Sequence, residues 1–172
     1  MTEVRRAVPD DAPDLARVHV ASWAETYRGL MPDTFLDSMT SPARQTRRQV
    51  LWQQNLNEDK ESVFVADQAG EVVGFISGGS STFARYDAEL FTLYLLKSGQ
   101  GGGIGRALMQ ILAADLAARG HTSLMLWVLD INPARTFYEH LGGVVIGEKT
   151  EAVTGGELHE VAYGWADLRA LL

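Results

Sequence analysis

The run Gln100-Gly101-Gly102-Gly103-Ile104-Gly105 separates two segments of different hydrophobic period. Before it, Leu90 to Leu96 is apolar on both faces, which predicts a buried strand. After it, Ile104, Leu108, Ile111 and Leu112 recur at helical spacing and Gly120 marks a stop, which predicts a helix. A strand, a glycine loop and a helix in succession confine the fold to the α/β type. The same arrangement leaves unpaired backbone N–H groups at the positive end of a helix dipole, where phosphate binds.

Two common nucleotide loops do not fit. A P-loop requires Gly-Lys-Ser or Gly-Lys-Thr, and neither occurs in the chain. The dinucleotide fingerprint started at Gly101 puts its third glycine on Arg106, and started at Gly103 puts it on Leu108. What fits is Gln-x-x-Gly-x-Gly followed by Arg106-Ala107-Leu108. A plain flexible turn would need neither the strand before nor the helix after.

The remaining segments extend this unit. Val4 to Ala7 reads as a short first strand, and Val8 to Pro13 as the turn into a helix from about Asp14. Leu15, Val18 and Ser22 share one face of that helix, with His19, Trp23 and Tyr27 on a neighbouring stripe, and Gly29 and Pro32 end it. Thr34 to Met39 and Pro42 to Asn55 read as two further helices. Ser62 to Asp67 and Glu71 to Ser77 form a hairpin around Gln68-Ala69-Gly70, and Gly78 to Asp87 is a loop or the splayed end of that hairpin. Glu89 to Leu96 and Ser123 to Leu129 are buried strands, and Asn132-Pro133 opens a helix that ends at Gly142-Gly143. Val144 to Lys149 and Leu158 to Trp165 form a last hairpin, turning near Gly155-Gly156. The expectation is one domain over residues 1–172, with a mixed, mostly antiparallel sheet of six to seven strands flanked by helices.

Composition narrows the function. A formal net charge of −7 argues against a nucleic-acid partner, and Arg44, Arg47 and Arg48 read as one solvated helix face. The absence of cysteine excludes disulfides, thiolate metal sites and a thiol nucleophile. His19, His121, His140 and His159 lack ligand spacing, so no metal is expected. No apolar run approaches a membrane span and Met1 to Arg6 lacks the core of a signal peptide, so the expected location is the cytoplasm.

A second motif follows the next strand. Asn132-Pro133-Ala134-Arg135-Thr136-Phe137-Tyr138-Glu139-His140-Leu141-Gly142-Gly143 resembles the Asn…Ala…Phe-Tyr-Glu-x-x-Gly segment of the Gcn5-related N-acetyltransferases, the GNAT superfamily. The Gln-x-x-Gly-x-Gly loop resembles that family's coenzyme A loop, and Ser22 to Leu30 resembles a stretch common in its small bacterial members. The order of elements is also the family's, so the resemblance covers nearly the whole chain.

The resemblance implies an acetyl-CoA-dependent N-acetyltransferase acting on a primary amine of a small molecule or peptide by direct attack in a ternary complex. The pyrophosphate would lie over the amides of Gly101, Gly102, Gly103, Ile104 and Gly105, with Gln100 opening the loop and Arg106 adding a charge-assisted contact. Many relatives carry a basic residue between these glycines, and this chain leaves that anchoring to backbone amides. Backbone groups of Leu93 and Leu95 would pair with the pantetheine arm, and an N–H there would polarise the acetyl carbonyl. That role needs a bulge or splay, which no residue of the strand demands. Asn132 and Tyr138 complete the cofactor set. The resemblance also implies self-association as a homodimer.

Tyr138 is the candidate general acid, because a phenol with a reference pKa of roughly 10 keeps its proton at neutral pH. A packed tyrosine beside Phe137 is the plainer reading. Glu89 matches the position of a catalytic glutamate in some relatives, but it lies about 13 Å from Leu93 along a regular strand, so it would need a water relay. An edge carboxylate facing solvent is the alternative. Trp23 and Tyr27, with His19, are the candidate wall for the amine, His159 is a further candidate contact, and Trp127 and Trp165 are assigned to structure. The competing function is a non-catalytic acyl-CoA-binding or regulatory domain, which needs the loop but neither Tyr138 nor Glu89.

Overall fold

A computed structural model describes residues 1–172. Strand β1 (Thr2–Arg6) is followed by helices α1 (Ala12–Tyr27), α2 (Asp33–Met39) and α3 (Pro42–Glu58). Strands β2 (Ser62–Gln68), β3 (Glu71–Ser80) and β4 (Ala88–Leu95) come next, then α4 (Ile104–Ala118), β5 (Leu124–Leu129), α5 (Ala134–His140), β6 (Val144–Val153) and β7 (Gly156–Trp165). The strands form one seven-stranded sheet in the order β1-β2-β3-β4-β5-β7-β6, antiparallel except for the central β4–β5 pair. This is the mixed sheet flanked by helices that the sequence predicts.

The alternation of side chains along each strand distributes the core to two faces. Phe64 and Ala66 of β2 pack with Leu108, Leu112 and Leu116 of α4. Their neighbours Val63 and Val65 point the other way and pack with Leu15 and Val18 of α1. A third, smaller cluster joins Tyr27, Met31 and Leu36 to Leu129 of β5 and Leu158 of β7. Helices α1 and α3 therefore lie on one face and α4 on the other.

Several boundaries move for physical reasons. The first strand starts at Thr2 because it pairs with β2 from Thr2↔Gln68 to Arg6↔Phe64. β3 continues through Gly78 and Gly79 to Ser80, so the splayed-hairpin reading of that stretch holds for its first residues. A Cβ at Gly78 would meet the Glu89 carbonyl oxygen at 2.9 Å, which is why glycine stands there. The last hairpin runs to Val153 and resumes at Gly156. Its outer half is exposed and carries no apolar alternation to read. No helix is long and apolar enough to cross a membrane.

Candidate active site

The parallel β4–β5 ladder is short: Ala88↔Leu124, Glu89↔Met125 and Leu90↔Leu126. Beyond Leu90, β4 keeps β3 while β5 keeps only β7, so the two central strands separate. A bulge coincides with this point. Ser77 pairs with Thr92 and Gly78 with Leu90, leaving Phe91 as the extra residue. The backbone edge of β4 that faces β5, including Leu93 and Leu95, thus has no strand partner.

The glycine loop closes the open end of this gap. Gly101 and Gly103 have φ of +83° and +81°, the left-handed region that glycine enters without strain. A Cβ on Gly101, Gly102 or Gly103 would meet nothing within 4 Å, so the space above the loop is open. The first helical bond runs from Ala107 N to Gly103 O, and the N–H groups of Gly101 through Arg106 have no acceptor within the protein. They form a concave set of donors at the N-terminus of a fifteen-residue helix, suited to an anion. Gln100 does not join them, because its side chain donates to the Leu95 carbonyl at 3.2 Å.

These groups border a cavity of about 630 Å³. Of the residues singled out in the sequence, Leu93, Leu95, Gln100, Gly101, Gly103, Ile104, Gly105, Arg106, Asn132, Tyr138, Trp23 and Tyr27 line it. Gly102 lies in the same loop with its Cα side open. Tyr138 is 5% exposed, with its ring among Phe137, Tyr163 and Trp165. Its hydroxyl makes no hydrogen bond to another side chain, and burial raises its pKa well above the ordinary phenol value.

Asn132 is committed at both ends. Its Oδ1 accepts from Ala134 N at 2.8 Å, capping α5, and its Nδ2 donates to the Tyr27 hydroxyl at 2.8 Å. It shapes the wall more than it offers a free group. Tyr27 in turn sits edge-on to Trp23 with centroids 5.0 Å apart.

Other candidates lie elsewhere. Glu89 is not among the cavity residues; it is half-buried on the sheet near Lys149, where burial raises its pKa and Lys149 lowers it. His19 faces the core instead of the cavity, with its ring 4.5 Å from that of Tyr94, and burial lowers its pKa to about 3. His159 is exposed on β7 and shares a hydrogen bond with Thr150. The reading of Arg44, Arg47 and Arg48 as one solvated face fails at Arg48, which turns inward and is half-buried. The α1–α3 packing causes this, since it brings Arg48 to His19.

Sequence reasoning missed several wall residues: Ser22, Glu25, Thr26, Tyr94, Lys97, Phe137 and His140. Glu25 accepts from Lys97 N at 2.8 Å and ties α1 to the start of the loop. The signal was present, because Ser22, Glu25 and Thr26 follow one helical face beside Trp23. No group of three or more His, Cys, Asp or Glu side chains is arranged to hold a metal ion.

The comparisons agree with this geometry. The model of the acetyltransferase (GNAT) family matches residues 22–143, which contain both the glycine loop and the segment from Asn132 to Gly143. YuaI of Bacillus subtilis, described as an uncharacterized N-acetyltransferase, is 37% identical over 99% of this chain and 96% of its own. A GNAT-family protein from Desulfovibrio desulfuricans superposes with a TM-score of 0.74 at 20% identity, covering 98% of this chain and 99% of that one. YncA from Salmonella typhimurium, solved with acetyl-CoA, gives 0.73 at 18% identity, with 98% and 94% covered.

Proposed function

The chain belongs to the acetyltransferase (GNAT) family and is an N-acetyltransferase, and we propose that it moves the acetyl group of acetyl-CoA to a primary amine of a small molecule or peptide by direct attack in a ternary complex. The observation that carries this reading is the run of free N–H groups from Gly101 to Arg106 at the mouth of the gap between β4 and β5. Those donors fit a pyrophosphate, and Lys97, Arg106 and His140 add side chains suited to phosphate around the same cavity. Its volume falls in the ordinary range for cofactor sites.

When bound, acetyl-CoA supplies an acetyl group activated as a thioester. The chain's own residues do the rest. The unpartnered edge of β4 at Leu93 and Leu95 offers backbone groups for an extended arm and a donor to the acyl oxygen. Tyr138 holds its proton at the phenol oxygen for the departing sulfur, which burial favours by disfavouring the phenolate. Glu89 accepts the amine's proton through a water relay, since it lies outside the cavity. Trp23 and Tyr27 form the wall that orients the amine.

The test is an acetylation screen over amines, amino acids, antibiotics and short peptides, with thiol release as readout. Amine-dependent release is expected. Coenzyme A binding with no turnover on any amine would instead support a binding or regulatory domain.

A further inference from the structure

Strand β5 is buried at every position except Trp127. A parallel strand pair is ordinarily covered on both faces, so a partly exposed tryptophan there marks a break in the cover. Leu124, Leu126 and Val128 pack on the α4 face, so Trp127 points to the other one. On that face α1 and α3 cover β2, β3 and the end of β4, while α2 and the end of α1 cover Leu129 and Leu158. The exposed indole lies between these two covers. Glu89 and Glu160 point to the same face, since their neighbours Ala88, Leu90 and Val161 pack on the α4 side.

A cation of the chain itself occupies this opening. Lys149 Nζ lies 4.2 Å from the centre of the Trp127 ring and 3.5 Å from Glu160 Oε2. Ala162 of β7 and Gly147 of β6 continue the row that starts at Trp127, and their small size lets the lysine lie back across the sheet. Phe83 stands edge-on to the indole with ring centroids 5.9 Å apart. Both charged groups reach solvent, with the Lys149 side chain 47% and the Glu160 side chain 21% exposed. A pair this exposed contributes little to stability, so another ammonium can take the place of Lys149. A carboxylate beside an accessible indole face is chemistry that holds an ammonium.

The opening adjoins the reaction centre. Leu90↔Leu126 is the last rung between β4 and β5, and Trp127 is the next residue of β5. The indole therefore stands where the gap between the strands begins. Tyr27 links the two places, because it lines the cavity and its hydroxyl is close enough to feel the Glu160 charge. Glu160 on β7 is two strands away from β4, roughly 10 Å at ordinary strand spacing. An amine reacting at the free edge of β4 cannot also sit beside Glu160, so the group held there is a second one.

We infer that Glu160 and the Trp127 face seat a second ammonium of the acetyl acceptor, which makes the acceptor a diamine and Lys149 an internal cation that it displaces. This rests on the acetyltransferase reading above. Glu89, whose carboxyl also feels the Lys149 charge, adds a second negative charge to the opening. An acceptor with a carboxylate in place of its second ammonium would meet two like charges there.

The experiment follows thiol release from acetyl-CoA with linear diamines from putrescine to octamethylenediamine, each paired with the monoamine and the ω-amino acid of the same chain length. Wild type should favour its best diamine over the matching monoamine by about tenfold in kcat/KM, and the amino acid should be the poorest of the three. Glu160→Gln should lose that preference while keeping its KM for acetyl-CoA. Lys149→Met removes the competing cation and should lower the KM for the diamine about threefold. These opposite signs separate a seat from a structural ion pair, whose loss from either side acts alike. No preference for diamines, a preference unchanged in Glu160→Gln, or shifts of one sign in both variants overturns the inference and leaves the enzyme an acetyltransferase. No release with any amine overturns the acetyltransferase reading. The seat is then read by calorimetric titration of the same diamines and monoamines into the coenzyme A-loaded protein. Heat with the diamines alone, lost in Glu160→Gln, supports the seat, and equal or absent heat overturns it.

Discussion

The Asn132 side chain donates to the Tyr27 hydroxyl at 2.8 Å, joining the cap of α5 to the end of α1 across the cavity. Tyr27 is buried and its pKa is raised, chiefly by that burial, so the bond is made to a neutral phenol. Asn132→Ala removes a cap and leaves a buried hydroxyl without its donor. We expect a loss of about 1–3 kcal/mol, measured by urea denaturation. An unchanged midpoint would mean that neither bond contributes in solution.

Tyr138→Phe keeps the ring among Phe137, Tyr163 and Trp165 and removes only the hydroxyl. Turnover should fall about 100-fold or more, with little change in acetyl-CoA binding. Steady-state kinetics and a cofactor titration separate the two, and unchanged kcat would remove Tyr138 as the acid.

The loop glycines should differ. Gly103→Ala forces a side chain into φ near +81° and should cost about 1–2 kcal/mol while weakening acetyl-CoA. Gly102 has neither positive φ nor a neighbour within 4 Å, so Gly102→Ala should leave stability nearly unchanged. Equal destabilisation of both variants would contradict the described loop geometry.

His19 should make stability depend on pH. Its folded pKa, about 3, lies below the unfolded value near 6.5, so between them the unfolded chain binds the extra proton. The stability from keeping this ring neutral is full above about pH 7. It is lost progressively as pH falls toward 3, by an amount on the order of 3–5 kcal/mol. Denaturant midpoints of wild type and His19→Gln between pH 7 and 4 should diverge from parallel, with the variant flatter. Titration of the His19 ring near the ordinary imidazole pKa by NMR would refute it.

Glu89 gives a kinetic signature. Burial raises its pKa, so an acid limb that reports Glu89 should sit above the ordinary carboxylate range. Glu89→Gln should lower kcat/KM about tenfold or more and abolish that limb. A pH profile identical to wild type would make Glu89 a structural residue of the sheet.

Much of this molecule was legible because its signals are local. Continuous apolar runs marked β4 and β5, and helical spacing marked α4. The glycines at positions 101, 103 and 142 mark turns that only their φ values require. The bulge at Phe91 was not legible, because it arises from the register between β3 and β4, and no residue of β4 demands it alone. Arg48 was misread for a related reason. On α3 it looks like one of three basic residues on a polar helix, and only the packing of α3 on α1 turns it inward. Glu25 and His140 reached the cavity wall through tertiary placement, although both sit in segments whose helical character was plain.

The rungs at Ala88, Glu89 and Leu90 make the sheet two plates welded along one short seam: β1 to β4 on one side, and β5, β7 and β6 on the other. The polypeptide stops short of finishing its own centre. A molecule lying along the seam would act as a keystone, stiffening both plates at once without touching most of either. Amide exchange at β4 and β5 beyond the weld should then respond to cofactor concentration, and the rigidity of the enzyme becomes a reading of how much acetyl-CoA surrounds it.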